Sequence, residues 1–155
     1  IEEIINQYLE GKTFKVIKDS LSEIGDIENC QHQLFQYSSR YDAFKQGEIA
    51  PAFNPEMGGG AVRDLNIYNI HLLVGLFGNP NRVEYLPNVE RGVDIQEILV
   101  LDYGNFKAAA IGAKDCSAEI RSTIQGDKGA ITIFGVTNTL PEIDLTLNGQ
   151  EEICD

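Results

Sequence analysis

The sequence is short of several things, and each shortage removes a class of function. Its 155 residues carry 12 Lys+Arg against 24 Asp+Glu, a formal net charge of −12. Such an excess of negative charge repels phosphate, so no nucleic-acid partner and no anionic membrane partner are expected. No apolar run approaches the ~20 residues that cross a bilayer. Glu2 and Glu3 stand where a secretory signal would be basic. Cys30, Cys116 and Cys154 are odd in number and widely spaced, with no C-x-x-C. A disulfide framework or zinc site is not expected; the cysteines read as small inert residues in a reduced, cytoplasmic setting. His32 and His71 are the only histidines and H-E-x-x-H is absent, so no metal site is expected. G-x-S-x-G and G-x-x-x-x-G-K-[ST] are also absent, against a serine nucleophile and a phosphate loop. The chain opens on Ile1 and holds one methionine, Met57, so a fragment or processed product of a longer chain is expected.

What remains suits one globular domain: 43% hydrophobic and 23% charged residues exclude a disordered or fibrous chain. A chain of this size buries about 70% of its unfolded surface, enough for a core. Phe14, Ile17, Leu21 and Ile24 recur at helical spacing, and Gly25 ends the pattern. Ile27–Tyr37 reads as a strand. Ser38–Pro55 reads as a long polar loop studded with Arg40, Tyr41, Phe44 and Phe53, a length that is often functional. After Gly58-Gly59-Gly60 comes the most apolar helix, Ala61–Phe77, with Gly78 and Pro80 as stops. Then Val83–Val89, Ile95–Asp102, Phe106–Ile111, Ser117–Gln125, Ala130–Val136 and Ile143–Leu147 are short β-rich runs. Gly104-Asn105 and Gly126–Gly129 separate some of them as turns, so consecutive strands should be antiparallel in a meander. The fold class is α+β: an open, mainly antiparallel sheet with helices packed on one face.

On a wheel of about 100° per residue, Asp64, Tyr68, His71 and Gly75 fall on one narrow sector of the Ala61–Phe77 helix. The helix is otherwise apolar nearly all round, which predicts that it is buried and that its polar line needs partners. The bland reading is that Asp64 serves the helix dipole in the first turn, while Tyr68 and His71 each satisfy one core hydrogen bond. The triple glycine does not complete G-x-G-x-x-G, because the sixth position is Arg63 and no strand leads into it. The pairs Glu2/Glu3 and Glu151/Glu152 read as solvated charge.

Those residues carry a resemblance. Gly58-Gly59-Gly60, Asp64 and Tyr68 four and eight residues after Gly60, and the closing Leu76-Phe77-Gly78-Asn79-Pro80 resemble the hallmark helix of the glucose–fructose oxidoreductase/inositol dehydrogenase/MocA group. Ile124-Gln125-Gly126-Asp127-Lys128-Gly129 resembles that family's I-x-G-x-x-G turn, and Ser38–Asp42 sits where its active-site loop begins. The resemblance covers roughly residues 13 to 136 and implies the family's C-terminal domain alone. It implies an upstream Rossmann domain that binds NAD or NADP, since no G-x-G-x-x-G and no E-K-P occur here. No cofactor-binding residues are therefore expected in this chain. A sheet-face homo-oligomer and a small-molecule substrate are also implied.

By the same resemblance, Asp64 orients the acid/base group and the substrate hydroxyl, and Tyr68 is the general acid/base. A phenol needs a nearby cation for that role near neutral pH, and the absent lysine could supply it. Arg40, Tyr41, Arg63 and His71 are candidate substrate contacts, with a surface salt bridge the competing role for Arg63. Two functions compete. One is the substrate-binding and catalytic half of an NAD(P)-dependent oxidoreductase acting on a sugar, polyol or related hydroxy compound. The other is a non-catalytic ligand-sensing or oligomerisation domain of the same fold.

Overall fold

The structure is a computed structural model that describes residues 11–135 and 142–148. Helix α1, Lys12–Ser20, buries Phe14 and Ile17 on one face. Its end tightens into a 3-10 turn at Leu21–Glu23 before strand β1, Ile27–Phe35. Helix α2, Tyr41–Lys45, is followed by single turns at Pro51–Phe53 and Pro55–Met57. A π-helical segment, Val62–Asn66, runs into helix α3, Ile67–Phe77, and Gly78 closes it. The later strands are β2 (Arg82–Glu90), β3 (Val93–Asp102), β4 (Lys107–Ala113), β5 (Arg121–Gly126), β6 (Gly129–Phe134) and β7 (Glu142–Leu147).

The seven strands form one sheet in the order β2-β3-β4-β1-β5-β6-β7. Every pairing is antiparallel except β1 with β4, which runs parallel from Asn29↔Lys107 to Phe35↔Ala113. This is the α+β architecture the sequence predicts, but the single continuous meander is not: β1 separates β4 from β5. Residues Lys114–Ile120 leave the sheet rather than turn. Their backbone crosses the end of β1, where Ser38 N–H donates to the Lys114 carbonyl at 2.8 Å and Tyr37 N–H donates to Ser117 Oγ at 3.0 Å. The strand expected at Ser117–Gln125 is accordingly shorter, and β1 ends two residues before Tyr37.

The tight turns follow their chemistry. Arg91 and Gly92, both at positive φ, close the β2–β3 hairpin. Pro87 is tolerated because β2 lies at the sheet edge. The β5–β6 turn is tied to the exit of α1: Asp26 N–H donates to Asp127 Oδ1 at 2.8 Å, and Lys128 N–H donates to the Ile24 carbonyl at 2.9 Å.

Helices α1 and α3 cover one face of the sheet. Phe14, Ile17, Leu72 and Leu73 pack there against Cys30, Leu99, Ile124, Ile131 and Ile133. The helix-facing positions of β4 are small, Ala108, Ala110 and Gly112, and all are buried. That lets the helix come close: Asn66 Nδ2 donates to the Ala110 carbonyl at 2.9 Å and Asn69 Nδ2 to the Ile111 carbonyl at 3.3 Å. The Ser38–Pro55 segment is not the open polar loop the sequence suggests. Its aromatic residues build a second core in which Phe44 and Phe53 stack at 4.8 Å and pack on Val93 and Ile95. Val136, at the end of the expected Ala130–Val136 run, and Cys154, Glu2/Glu3 and Glu151/Glu152 lie outside the described residues.

Leu72 faces the sheet, fully buried, whereas His71 faces away. Leu72→Ala is expected to cost about 2–5 kcal/mol of stability, and His71→Ala less than about 1 kcal/mol. Chemical denaturation of both variants measures the difference, and equal losses would contradict this helix orientation.

Candidate functional site

The site begins at the glycine run, where each glycine has its own reason. Gly58 (φ 77°) and Gly60 (φ 120°) lie in the left-handed half of conformational space. A Cβ on Gly59 would stand 2.5 Å from both the Asn54 amide nitrogen and the Pro51 carbonyl oxygen. Gly59 therefore packs against the chain's own backbone, a Cβ on Gly60 would meet the Asp94 carboxylate, and Gly58 is open, needed for its positive φ alone. With no side chain there to cap the helix, Asp94 from β3 does so: its Oδ2 accepts from Val62 N–H at 2.9 Å.

The helix that follows is not buried all round. Leu65, Asn66, Asn69, Leu72 and Leu73 are buried against the sheet, while Asp64 is exposed and Tyr68, His71 and Gly75 are half-buried. The polar line thus lies on the outward face, which explains how it persists without core partners. The π segment also puts an extra residue into the first turn, so a uniform 100° wheel misplaces Asp64 relative to Tyr68. Tyr68 and His71 make no hydrogen bond to a described residue. Partial burial pushes the His71 imidazole below its ordinary value.

Asp64 does have a partner, and sequence reasoning missed it. The Lys114 ammonium bonds Asp64 Oδ2, donates to the Ala52 carbonyl at 2.8 Å, and lies 4.8 Å from the Phe53 ring centroid. The lysine side chain is 2% exposed and the aspartate 48%. No spacing rule ties Lys114 to the helix motif; the only signal is a lysine closing the apolar run Ala108–Ala113.

Beneath the helix lie two further titratable groups that sequence reasoning did not single out as a site. Glu97 faces the helix from β3, 1% exposed, and neither carboxyl oxygen has a hydrogen-bond partner of normal geometry among the described residues. Burial pushes its carboxyl up to about 8; the nearby Asn66 amide and the more distant Lys114 charge only partly oppose this, and Asp94 adds to it. His32 on β1 is fully buried with both ring nitrogens unpartnered, and burial pushes it down to about 4.

The remaining candidates scatter. Tyr41 is turned inward: its hydroxyl donates to Glu90 Oε2 at 2.8 Å, which pushes it up to about 12, and its ring packs between Tyr37 and Phe53. That hydroxyl is committed to a protein partner, unlike Tyr68's. Arg40 is exposed at the start of α2 and its side chain has no described partner. Arg63 forms no ion pair among the described residues, contrary to the salt bridge considered from sequence. It lines a groove of about 490 Å³ with Val62, Tyr85, Val89 and Asp94. Cys30 is buried, its thiol pushed up to about 12, and burial also raises the half-buried Cys116 thiol. Among the described residues no three His, Cys, Asp or Glu side chains converge as metal ligands. No described helix is long and apolar enough to cross a membrane.

The two buried groups act on stability with opposite sign. Between pH 4.5 and about 8 the folded chain keeps a proton on Glu97 that the unfolded chain has lost, so stability falls as pH rises through that window. Between about pH 4 and 6.5 the unfolded chain protonates His32 and the folded chain does not, so stability rises with pH there. The Glu97 effect is therefore unopposed from pH 6.5 to 8. Glu97→Gln is expected to flatten the fall in melting temperature over that interval. A fall as steep as in the parent protein would show that Glu97 is not its source.

Comparison with known proteins follows this geometry. Residues 20–132 match the GFO/IDH/MocA C-terminal domain. The chain is 37% identical over 123 residues to scyllo-inositol 2-dehydrogenase (NADP(+)) IolU of Bacillus subtilis (strain 168), covering 77% of this chain and 37% of IolU. It is 32% identical over 121 residues to the uncharacterized oxidoreductase YgjR of Escherichia coli (strain K12), with the same coverage of 77% and 37%. Among solved structures, the WlbA dehydrogenase from Bordetella pertussis, in complex with NADH and UDP-GlcNAcA, superposes with a TM-score of 0.71 at 16% identity, over 96% of this chain and 44% of WlbA. KijD10, a 3-ketoreductase from Actinomadura kijaniata in complex with TDP-benzene and NADP, gives 0.71 at 16% identity, over 96% and 45%. At such identities the structural likeness establishes the fold. The chain spans well under half the length of each of these proteins. The sequence match and the shared sheet together place it in one family: the chain belongs to the GFO/IDH/MocA group as its C-terminal domain.

Proposed function

We propose that this chain is the substrate-binding and proton-transferring half of an NAD(P)-dependent oxidoreductase acting on a sugar, polyol or related hydroxy compound. Asp64 and Tyr68 are its catalytic pair. The observation that carries this reading is the outward polar line on the helix. There the Tyr68 hydroxyl is unpartnered while the adjacent carboxylate of Asp64 is held by a buried cation. Tyr41, equally half-buried, gives its hydroxyl to Glu90; Tyr68 has no such partner among the described residues, and in this reading its oxygen serves a ligand. Asp64 orients a substrate hydroxyl and Tyr68 passes its proton. His71, one turn on, lines the same face, and Arg40 and Arg63 offer unpaired guanidinium groups to a polyhydroxylated substrate. The name of IolU, an inositol dehydrogenase, supports a polyol as the substrate class.

The dinucleotide does not fit the described residues. In the glycine run, Gly59 is packed on the Pro51–Asn54 backbone and Gly60 on the Asp94 carboxylate, a negative charge placed where a pyrophosphate would have to approach. Nicotinamide supplies hydride chemistry when bound, and in this reading an upstream Rossmann domain holds it. Residues 1–155 are then one substrate-binding and oligomerisation domain. The free thiols of Cys30 and Cys116 suit a cytoplasmic setting. The sheet face opposite the helices presents Leu86 at 56% and Ile98 at 40% exposure, directly paired across β2 and β3. This favours a second copy of the chain as the occupant of that face.

In the full-length enzyme with dinucleotide and a polyol, Tyr68→Phe is expected to lower kcat/KM by about 10²–10⁴-fold, and Asp64→Asn to do the same. Unchanged kcat/KM in Tyr68→Phe would remove the acid/base role. Ile98→Asp is expected to shift the protein towards monomer in sedimentation, and a parent protein that is monomeric at high concentration would refute assembly through this face.

A further inference from the structure

We propose that Lys114 is the positioning residue of the site, fixing the carboxylate of Asp64 and locking the Pro51–Gly60 turn against it; this rests on the assignment of Asp64 as catalytic. The backbone of Lys114 sits where three segments meet. Its N–H donates to the Ile95 carbonyl at 2.8 Å and its carbonyl accepts from Ser38 N–H at 2.8 Å. From that fixed point the side chain reaches, 2% exposed, into the space between Ala52, Phe53 and Asp64. Its ammonium is used on every side: Asp64 Oδ2, the Ala52 carbonyl and the face of Phe53. A long flexible side chain thereby loses its freedom, and passes the loss on to a carboxylate that is half in solvent.

Stability alone does not explain this arrangement. An ion pair with one member buried loses most of its Coulombic gain to desolvation, and an apolar side chain of similar volume often replaces it without loss. Methionine would fill the same space. What methionine cannot do is hold Asp64 Oδ2, and so decide where Oδ1, which has no described partner, presents itself to a substrate hydroxyl. Arginine keeps the charge, but its planar fork is larger and does not match a seat shaped for a compact ammonium between Ala52 and Phe53. Lys114 also bonds the turn that supports Gly59, so one ammonium couples the wall of the site to its carboxylate.

The test uses the full-length enzyme with its dinucleotide. The substrate is the polyol it turns over fastest from a panel headed by scyllo-inositol. The variants are Asp64→Asn, Lys114→Met, Lys114→Arg and Asp64→Asn combined with each Lys114 change. Misplacing a reacting group by about 1 Å costs about 10²-fold. Lys114→Met is therefore expected to lower kcat about 100-fold with the dinucleotide KM unchanged, and Lys114→Arg to recover part of that loss. In the Asp64→Asn background neither Lys114 change should lower kcat further by more than about twofold, because residues acting as a unit are not additive. If Asp64→Asn is impaired while Lys114→Met keeps kcat within twofold of the parent, the positioning role is overturned and the Asp64 assignment stands. If Asp64→Asn is fully active, the assignment itself fails and the positioning role with it. Should Lys114→Met not fold, Lys114→Arg decides: a loss that adds in full to that of Asp64→Asn overturns the proposal, and a loss absorbed by it supports the proposal.

Discussion

The close seating of one helix on one strand governs most of this structure. Ala108, Ala110 and Gly112 leave a shallow track on β4, and Asn66 and Asn69 hook onto carbonyls along it. A Cβ at Gly112 would come within 3.0 Å of Asn66 Cβ, so the track has little room to spare. Two buried amides bonded to strand carbonyls permit little rotation of the helix, because turning it would strand polar groups in the core. With that face fixed, Asp64, Tyr68 and His71 have only the outward direction left. The face that carries the polar line is thus set by what the opposite face must satisfy.

The same seating encloses Glu97 and His32, whose burial opposes their charged forms. Lys114, buried at the edge of the same seating, has three partners in reach: Asp64, the Ala52 carbonyl and the face of Phe53. A buried polar group is tolerated where hydrogen bonds replace water. Glu97 and His32, under the middle of the helix, lack such partners among the described residues.

Much of the fold and part of the site were legible in the sequence. The glycine run, Asp64 and Tyr68 are local in the chain, so spacing and motif find them together. The short strands announce themselves through alternation, and the turns at Gly104 and Gly126 through glycine. The insertion of β1 between β4 and β5 was not legible, because its partners lie about 80 to 100 residues away and no local pattern records a pairing at that distance. Lys114 escaped notice for the same reason: it reaches Asp64 across 50 residues. The wheel found the polar line but gave it the wrong environment. Composition around a helix does not reveal which face meets a sheet, and Asn66 and Asn69, which the wheel did not single out, are the inward polar residues.

The cap on the helix start has a further consequence, for the order in which the chain can fold. A local cap forms with its helix, but Asp94 lies 32 residues after the amide it satisfies, on a strand that must first pair with its neighbours. The first turn therefore gains its closing hydrogen bond only when a non-local loop has been paid for. Asp64 sits in that turn, so this end of the helix has its full set of hydrogen bonds only with the hairpin that carries Asp94 in place. A partly folded chain can hold the apolar half of α3 against the sheet and still present no organised site.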